Sequence, residues 1–295
     1  MHYQDREALE MFADYQRAQN LAATTIRNRH SILTTLASRA GKLVDVDAFS
    51  LRRHVGREGV GAGTRRTERG AILAFFTFLA EEGLREDNPA SRLPKVHAPK
   101  GEPRPFTAEQ VTAMLESGAY TRTRAMILLG VYQGFRVASI SAVHGRDVDQ
   151  MTQTIRVVGK GGKERRLPLH PVIADLATRM PVDGWWFPAR KGDGHVRPSS
   201  VTDLITKAKL RAGITDPELT PHSLRHAFGT DLVEAGVDIR VIAELMMHES
   251  VATTQIYTRV SERLRREGIE KLEARPVPLR SGRPATDNWR HRDAA

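Results

Sequence analysis

His222, Arg225, His248 and Tyr257 follow one another towards the C-terminal end of the sequence, and these side-chain types suffice to hold a phosphodiester and attack it. Thr220 is a favoured helix cap and Pro221 suits a first helical position, which predicts that His222 sits in the first turn of a helix. Backbone N–H groups left over in such a turn attract an anion. Arg225, three residues on, shares the face and presents a planar fork to two phosphate oxygens. Gly236 is expected to end this helix and Asp238 to cap the next, which carries Val241, Ile242 and Leu245 up to His248. Thr253 or Thr254 would start a short helix bearing Tyr257. Two further cations stand upstream: Arg136 in GFRVASISAV, and Lys160 at the tip of the hairpin expected over VVGKGGKERRLPL.

The spacing His-x-x-Arg means little alone. His54 and Arg57 repeat it in a region with no nucleophile pattern, and that pair is read as surface residues. Each member of the array also has a plainer reading: Tyr257 as a packing tyrosine, Lys160 as a solvated turn lysine, Arg136 as a structural ion-pair partner. His222 and His226 stand four apart on one face, but no glutamate-containing zinc-protease pattern and no third ligand accompany them, so no metal site is expected.

The elements that must position these residues fall into two groups. A chain of 295 residues suits two domains. Its formal net charge of +10 and pI of about 10.2 favour a polyanionic partner, and with aromatic content of 6% duplex backbone contact suits it better than base stacking. Zero cysteines exclude disulfides and thiolate chemistry. No apolar run is long enough for a membrane span and no secretory leader follows Met1, so a cytoplasmic protein without a membrane partner is expected.

Residues 1–93 read as a helical domain. Asp5 to Gln19 places Leu9, Phe12 and Ala13 on one face, and a second pattern behind a Thr24 cap carries Ile26, Leu33 and Leu36. A short third helix covers Asp47 to Val55, and a fourth, Thr64 to Glu82, turns Ile72, Phe75, Phe76 and Leu79 inward before Gly83. Arg65, Arg66 and Arg69 oppose the dipole of that fourth helix, which a neighbouring anion would explain, as would a solvated face shared with Glu68. From Asp87 to Pro105 five prolines and no apolar periodicity predict an extended stretch that holds the domain boundary, with the linker itself taken as 94–105.

A second domain, 106–273, opens with Thr107 and Gln110, a capping box. An apolar helix from Arg122 to Gln133, strands over Thr154–Val158 and Arg165–Leu169, a buried aromatic strand or turn in GWWFPAR, and a helix from Ser199 to Ala212 follow. The fold class is therefore mainly α, with a small antiparallel sheet in the second domain. Residues 274–295 form a polar, basic, proline-containing tail expected to lack fixed structure.

Taken together, Arg136 in GFR, Lys160, His222 and Arg225 in PHSLRHAFGT, His248, and Tyr257 in TTQIYTRV resemble, in order and spacing, the six catalytic positions of the tyrosine site-specific recombinases. That family includes phage integrases and Xer-type chromosome-dimer resolvases. The resemblance is strong over residues 106–272 and looser over the N-terminal helices, which it implies to be a SAM-like core-binding domain. Two positions depart from the family pattern: Ser139 stands where an acidic residue commonly follows the first arginine, and Met247 where glycine usually precedes the second histidine.

The resemblance implies cleavage by Tyr257 through a 3′-phosphotyrosyl intermediate, with no cofactor. It also implies a homo-tetramer on two double-stranded DNA core sites, with possible accessory DNA-binding factors. Residues 261–272 would dock on a neighbouring protomer or pack within their own chain. Arg65, Arg66, Arg69 and Lys163 are the candidate DNA contacts. Phage-type integration and excision is the favoured role, on the Ser139 and Met247 departures and the tail; the length leaves no room for a further arm-binding domain, so a simple integrase acting on core sites alone is expected. An Xer-type resolvase, a DNA-binding homologue that no longer cuts, and a type IB topoisomerase are the alternatives.

Overall fold

The computed structural model describes residues 2–98, 104–159, 162 and 164–247. The chain divides into two compact units, residues 1–102 and 103–295. The architecture is mainly α with one small antiparallel sheet.

The first unit packs α1 (Tyr3–Ala18), α2 (Ala23–Ala40), α3 (Ala48–Gly56) and α4 (Ala62–Glu81) around one core. Phe12, Phe75, Phe76 and Phe78 meet edge-on or tilted at its centre, with Leu33, Leu36, Leu51 and Ile72 around them. Asp47 caps α3 by accepting from the Ser50 N–H, and Gly83 supplies the left-handed turn after α4. Some local expectations fail. α2 starts behind Ala22 with no side-chain cap, so Thr24 lies inside the helix; on α1, Ala13 is only half-buried while Gln16 and Asp5 are buried. Asp5 is tolerated there because its carboxylate accepts from the Leu43 N–H at 2.7 Å. Asn88 to Leu93 is not extended: Asn88 caps a 3-10 turn whose Ala90, with Leu93, is buried in the first core.

His54 and Arg57 are not the surface pair that their spacing suggested. His54 is buried, and the Arg57 guanidinium makes a two-pronged contact, 2.7 and 2.6 Å, with the buried Glu68 carboxylate. The arginine holds that carboxyl below its usual range.

In the second unit, α5 (Ala108–Glu116) begins with the complete Thr107–Gln110 capping box. α6 (Thr121–Tyr132) is apolar nearly all round because it is the central helix, packed by α10 (His222–Glu234) and α9 (Pro198–Arg211). Between them come α7 (Val137–Ser141), the sheet β1 (Val148–Asp149), β2 (Thr154–Val158) and β3 (Glu164–Pro168), and α8 (Pro171–Ala177); α11 (Ile239–Leu245) follows α10. The sheet runs in the order β1-β2-β3, with Ile155 opposite Leu167 on the buried face. β3 begins and ends one residue earlier than its alternation suggested, and β1 and α8 went unpredicted. In GWWFPAR, Trp186 and Phe187 are buried and the segment forms a turn with isolated bridges rather than a strand.

Candidate active site

Three of the six array residues fall within the described part of the molecule, and the fold brings them together. α6 and α10 cross closely: a Cβ on Gly130 would stand 2.9 Å from the Leu224 Cβ. One turn beyond, Gly134 has φ +62°, and a Cβ there would lie 2.4 Å from the Phe228 ring of α10. Gly134 thus serves two needs that only glycine meets, a left-handed backbone and a close approach. That turn swings the chain from the end of α6 to Arg136, which precedes α7.

Arg225 is 3% exposed, and its guanidinium donates to the Gly134 and Met246 carbonyls. The two carbonyls belong to the turn before Arg136 and to the turn after α11, so one side chain locks three segments. They fix the orientation of the guanidinium without carrying a compensating charge. Arg136 is half-buried, and its side chain makes no hydrogen bond or ion pair with any described residue. The Ser139 hydroxyl makes none either, and no carboxylate occupies the position three residues after Arg136.

His222 opens α10. The Thr220 side chain does not cap this helix; the Thr220 N–H instead donates to the Ser223 hydroxyl at 3.1 Å. Pro221 already has helical backbone angles, and the hydrogen-bonded helix is assigned from His222. The His222 residue keeps solvent contact, yet the surrounding protein desolvates its imidazole, and the Arg225 and Arg136 charges add to that, so its pKa lies below the ordinary histidine value. His226, one turn on, meets it edge to face with ring centroids 4.7 Å apart and is pushed down to about 4 by burial, His222 and Arg225. Both rings are therefore neutral at pH 7. Among the described residues, no group of three His, Asp or Glu side chains is placed to hold a metal.

Met247 has φ +49°, the left-handed region that favours glycine. The position where the family pattern expects glycine thus keeps a glycine-like backbone with a methionine on it, and that side chain packs against the main core of the second unit. Lys160, Lys163, His248 and Tyr257 lie outside the described residues, as do 261–272 and the tail.

Of the candidate DNA contacts on α4, Arg66 is exposed. Arg65 and Arg69 are half-buried and donate to the Arg57 and Leu93 carbonyls. Sequence reading missed a second basic feature. A hollow of about 730 Å³ in the second unit is lined by Arg122, Arg190, Lys191, His195, Arg197 and Lys207, with Asp203 as its acidic residue. These residues come from the start of α6, the loop before α9 and α9 itself, and their separation in sequence hides the cluster.

The sequence matches the phage integrase family over residues 104–263. It is 32% identical over 246 residues to tyrosine recombinase XerD of Caulobacter vibrioides, covering 76% of this chain and 81% of that protein. It is 31% identical over 275 residues to tyrosine recombinase XerA of Pyrococcus furiosus, covering 90% and 93%. The fold aligns with a lambda integrase(75-356) dimer bound to a COC′ core site at a TM-score of 0.70 and 16% identity, covering 84% of this chain and 96% of that one. The chain belongs to the tyrosine recombinase, or phage integrase, family of enzymes, which cut and rejoin DNA at specific sites. No helix among the described residues is long and apolar enough to cross a membrane.

Proposed function

We propose that this chain is a phage-type integrase that cuts and rejoins duplex DNA at core sites with Tyr257 as nucleophile. The tyrosine oxygen attacks phosphorus, a 3′-phosphotyrosyl bond forms, and the bond to the 5′-oxygen breaks. The free 5′-hydroxyl of a partner strand then attacks the same phosphorus, a phosphodiester forms and the bond to the tyrosine oxygen breaks, so bond energy is retained and neither ATP nor a metal is called for. Arg136 and Arg225 offset charge on the nonbridging oxygens, His222 accepts the tyrosine proton, Lys160 protonates the leaving oxygen, and His248 donates to a phosphate oxygen.

The observation that carries this reading is the meeting of Arg136, His222 and Arg225. One guanidinium is locked by backbone, the other has no side-chain partner among the described residues, and the imidazole that feels both charges is held neutral, as a proton acceptor must be. The first unit would act as the core-binding domain, Arg66 touching phosphate directly while Arg65 and Arg69 contribute field. Lys163 and the basic hollow would meet the duplex from the second unit. Assembly is as a tetramer on two sites, in the bacterial cytoplasm. An Xer-type resolvase is the second reading, favoured by the XerD and XerA names of the relatives above.

The test is covalent capture from fragmented host and phage DNA in EDTA, with Tyr257→Phe as control. Adducts that need Tyr257, survive EDTA and gather at one sequence are expected. A phage attachment site or a chromosomal dimer-resolution site would separate the two roles. Scattered adducts would indicate a topoisomerase, and an absence of adducts from a protein that still binds duplex DNA would sink the cleavage reading.

A further inference from the structure

Lys209 is the only buried lysine among the described residues, 5% exposed in the last turn of α9. No carboxylate pairs with it there. Its Nζ donates to the Asp216 carbonyl at 2.7 Å and to the Leu219 carbonyl at 3.0 Å. A long side chain is thus ordered and withdrawn from water for two backbone oxygens of one loop, a costly arrangement that something must repay.

That loop leads directly into α10. Leu219 is buried, and after it come Thr220, Pro221 and His222. α10 has no side-chain cap on its first N–H groups, and within its first turn the Ser223 hydroxyl accepts from the Thr220 N–H. Two further ties reach this start from outside the helix: Lys209 at Leu219, and at Ser223 the Phe106 N–H, which donates to its carbonyl at 3.4 Å. His222 stands between these two anchors. Arg104, paired with Asp216 and Glu218 on the exposed side, is a weaker third tie in water.

We infer that Lys209 is a positioning residue, which holds the 216–219 loop so that α10 starts where His222 and Arg225 face Arg136. The inference rests on the reading of those three as the reacting site. Without the ammonium the Leu219 carbonyl, buried where water cannot replace the donor, must move to find a partner, and the first turn of α10 moves with it. Arg136, Arg225 and His226, the charged and titratable groups that face His222 among the described residues, stay unchanged in sequence, so a change in its titration reports displacement.

The experiment is a histidine-resolved NMR titration of the full chain as wild type, Lys209→Met and Lys209→Arg, beside the rate of Tyr257-dependent adduct formation on the DNA captured above. In Lys209→Met, His222 is expected to titrate ~0.5 pH unit or more closer to the ordinary histidine value. Adduct formation should slow by about tenfold or more. Lys209→Arg, which keeps donors for both carbonyls, should recover most of both. If Lys209→Met does not fold, Lys209→Gln, with one amide donor group, carries the same comparison. His222 titrating as in wild type, with only the melting temperature lowered, would overturn the inference and leave Lys209 a stabilising residue. A His222 shift in a chain whose wild type forms no Tyr257-dependent adduct would instead refute the recombinase reading and leave the positioning intact.

Discussion

The molecule contains the same short pattern twice, His54-x-x-Arg57 in the first unit and His222-x-x-Arg225 in the second, and the two sites differ in what holds the arginine. Arg57 grips a carboxylate, Glu68, with both prongs, and the buried His54 lies with its Nε2 3.7 Å from the same carboxylate. The charges of that cluster are met inside the protein. Arg225 is gripped by two backbone carbonyls, beside an Arg136 whose side chain has no partner among the described residues. A carboxylate offsets an arginine's charge, whereas a carbonyl carries none and fixes direction. The first arrangement builds a fold; the second sets Arg136 where an anion can meet it.

The sharpest way to break this comparison is to keep charge and remove the fork. Arg225→Lys leaves one ammonium that cannot reach the Gly134 and Met246 carbonyls and a phosphate together. Adduct formation should fall by about 10²–10³, roughly 3–4 kcal/mol of transition-state stabilisation. Single-turnover cleavage reads this directly, and a rate within about threefold of wild type would show that the fork is not needed.

The converse change belongs to the first unit. Glu68→Gln strands Arg57 beside a neutral amide where its side chain is 19% exposed, and should lower unfolding free energy by about 3 kcal/mol. Cleavage per folded molecule should not change. A fall in that rate, with stability unaltered, would mean that the first cluster also serves the reaction.

Legibility in the sequence follows the same divide. Periodicity revealed α4, because Ile72, Phe75, Phe76 and Leu79 must share a face to be buried together, and the Thr107–Gln110 box is a local bond pattern that any context would keep. The chemistry of Arg136, His222 and Arg225 could be grouped by order alone. What could not be read depends on partners remote in sequence: Glu68 reaching Arg57, or six basic residues meeting across α6 and α9. Lys209 carries no signal at all, since a cation in a last helical turn is what the dipole favours anyway. The caps assigned to Thr24 and Thr220 failed locally: α2 begins two residues earlier, which puts Thr24 inside the helix, and at α10 the Ser223 hydroxyl accepts from the Thr220 N–H while the Thr220 side chain caps nothing.

Acid should separate the histidines by their surroundings. His226 has a folded pKa of about 4 against an ordinary 6.5, so the unfolded chain binds the extra proton first. Its contribution to stability is complete above pH 6.5 and is lost as pH falls towards 4. In His226→Gln the slope of unfolding free energy between those limits should flatten, and an unchanged slope would assign the acid sensitivity elsewhere. Cleavage should show the related signature: with His222 depressed by burial and by Arg225 and Arg136, the rate should hold through the ordinary histidine range and fall only below it.

The smallest effect tests how Arg225 keeps its second carbonyl. Met246 supplies that oxygen, and the next residue, Met247, turns the chain at φ +49° while its side chain packs into the main core. A methionine in that region carries a strain that glycine would not, worth about 1 kcal/mol. Met247→Ala and Met247→Gly lose nearly the same packing, so their difference isolates the backbone. Met247→Gly should be the more stable of the two by about 1 kcal/mol in urea unfolding, although both fall below wild type through the lost contacts. Equal stabilities would mean that the turn relaxes out of the left-handed region once the side chain is gone. The methionine would then be what holds the Met246 carbonyl against Arg225, and both variants should slow cleavage alike. If the turn persists, Met247→Gly keeps that carbonyl in place and its cleavage rate should stay within about twofold of wild type.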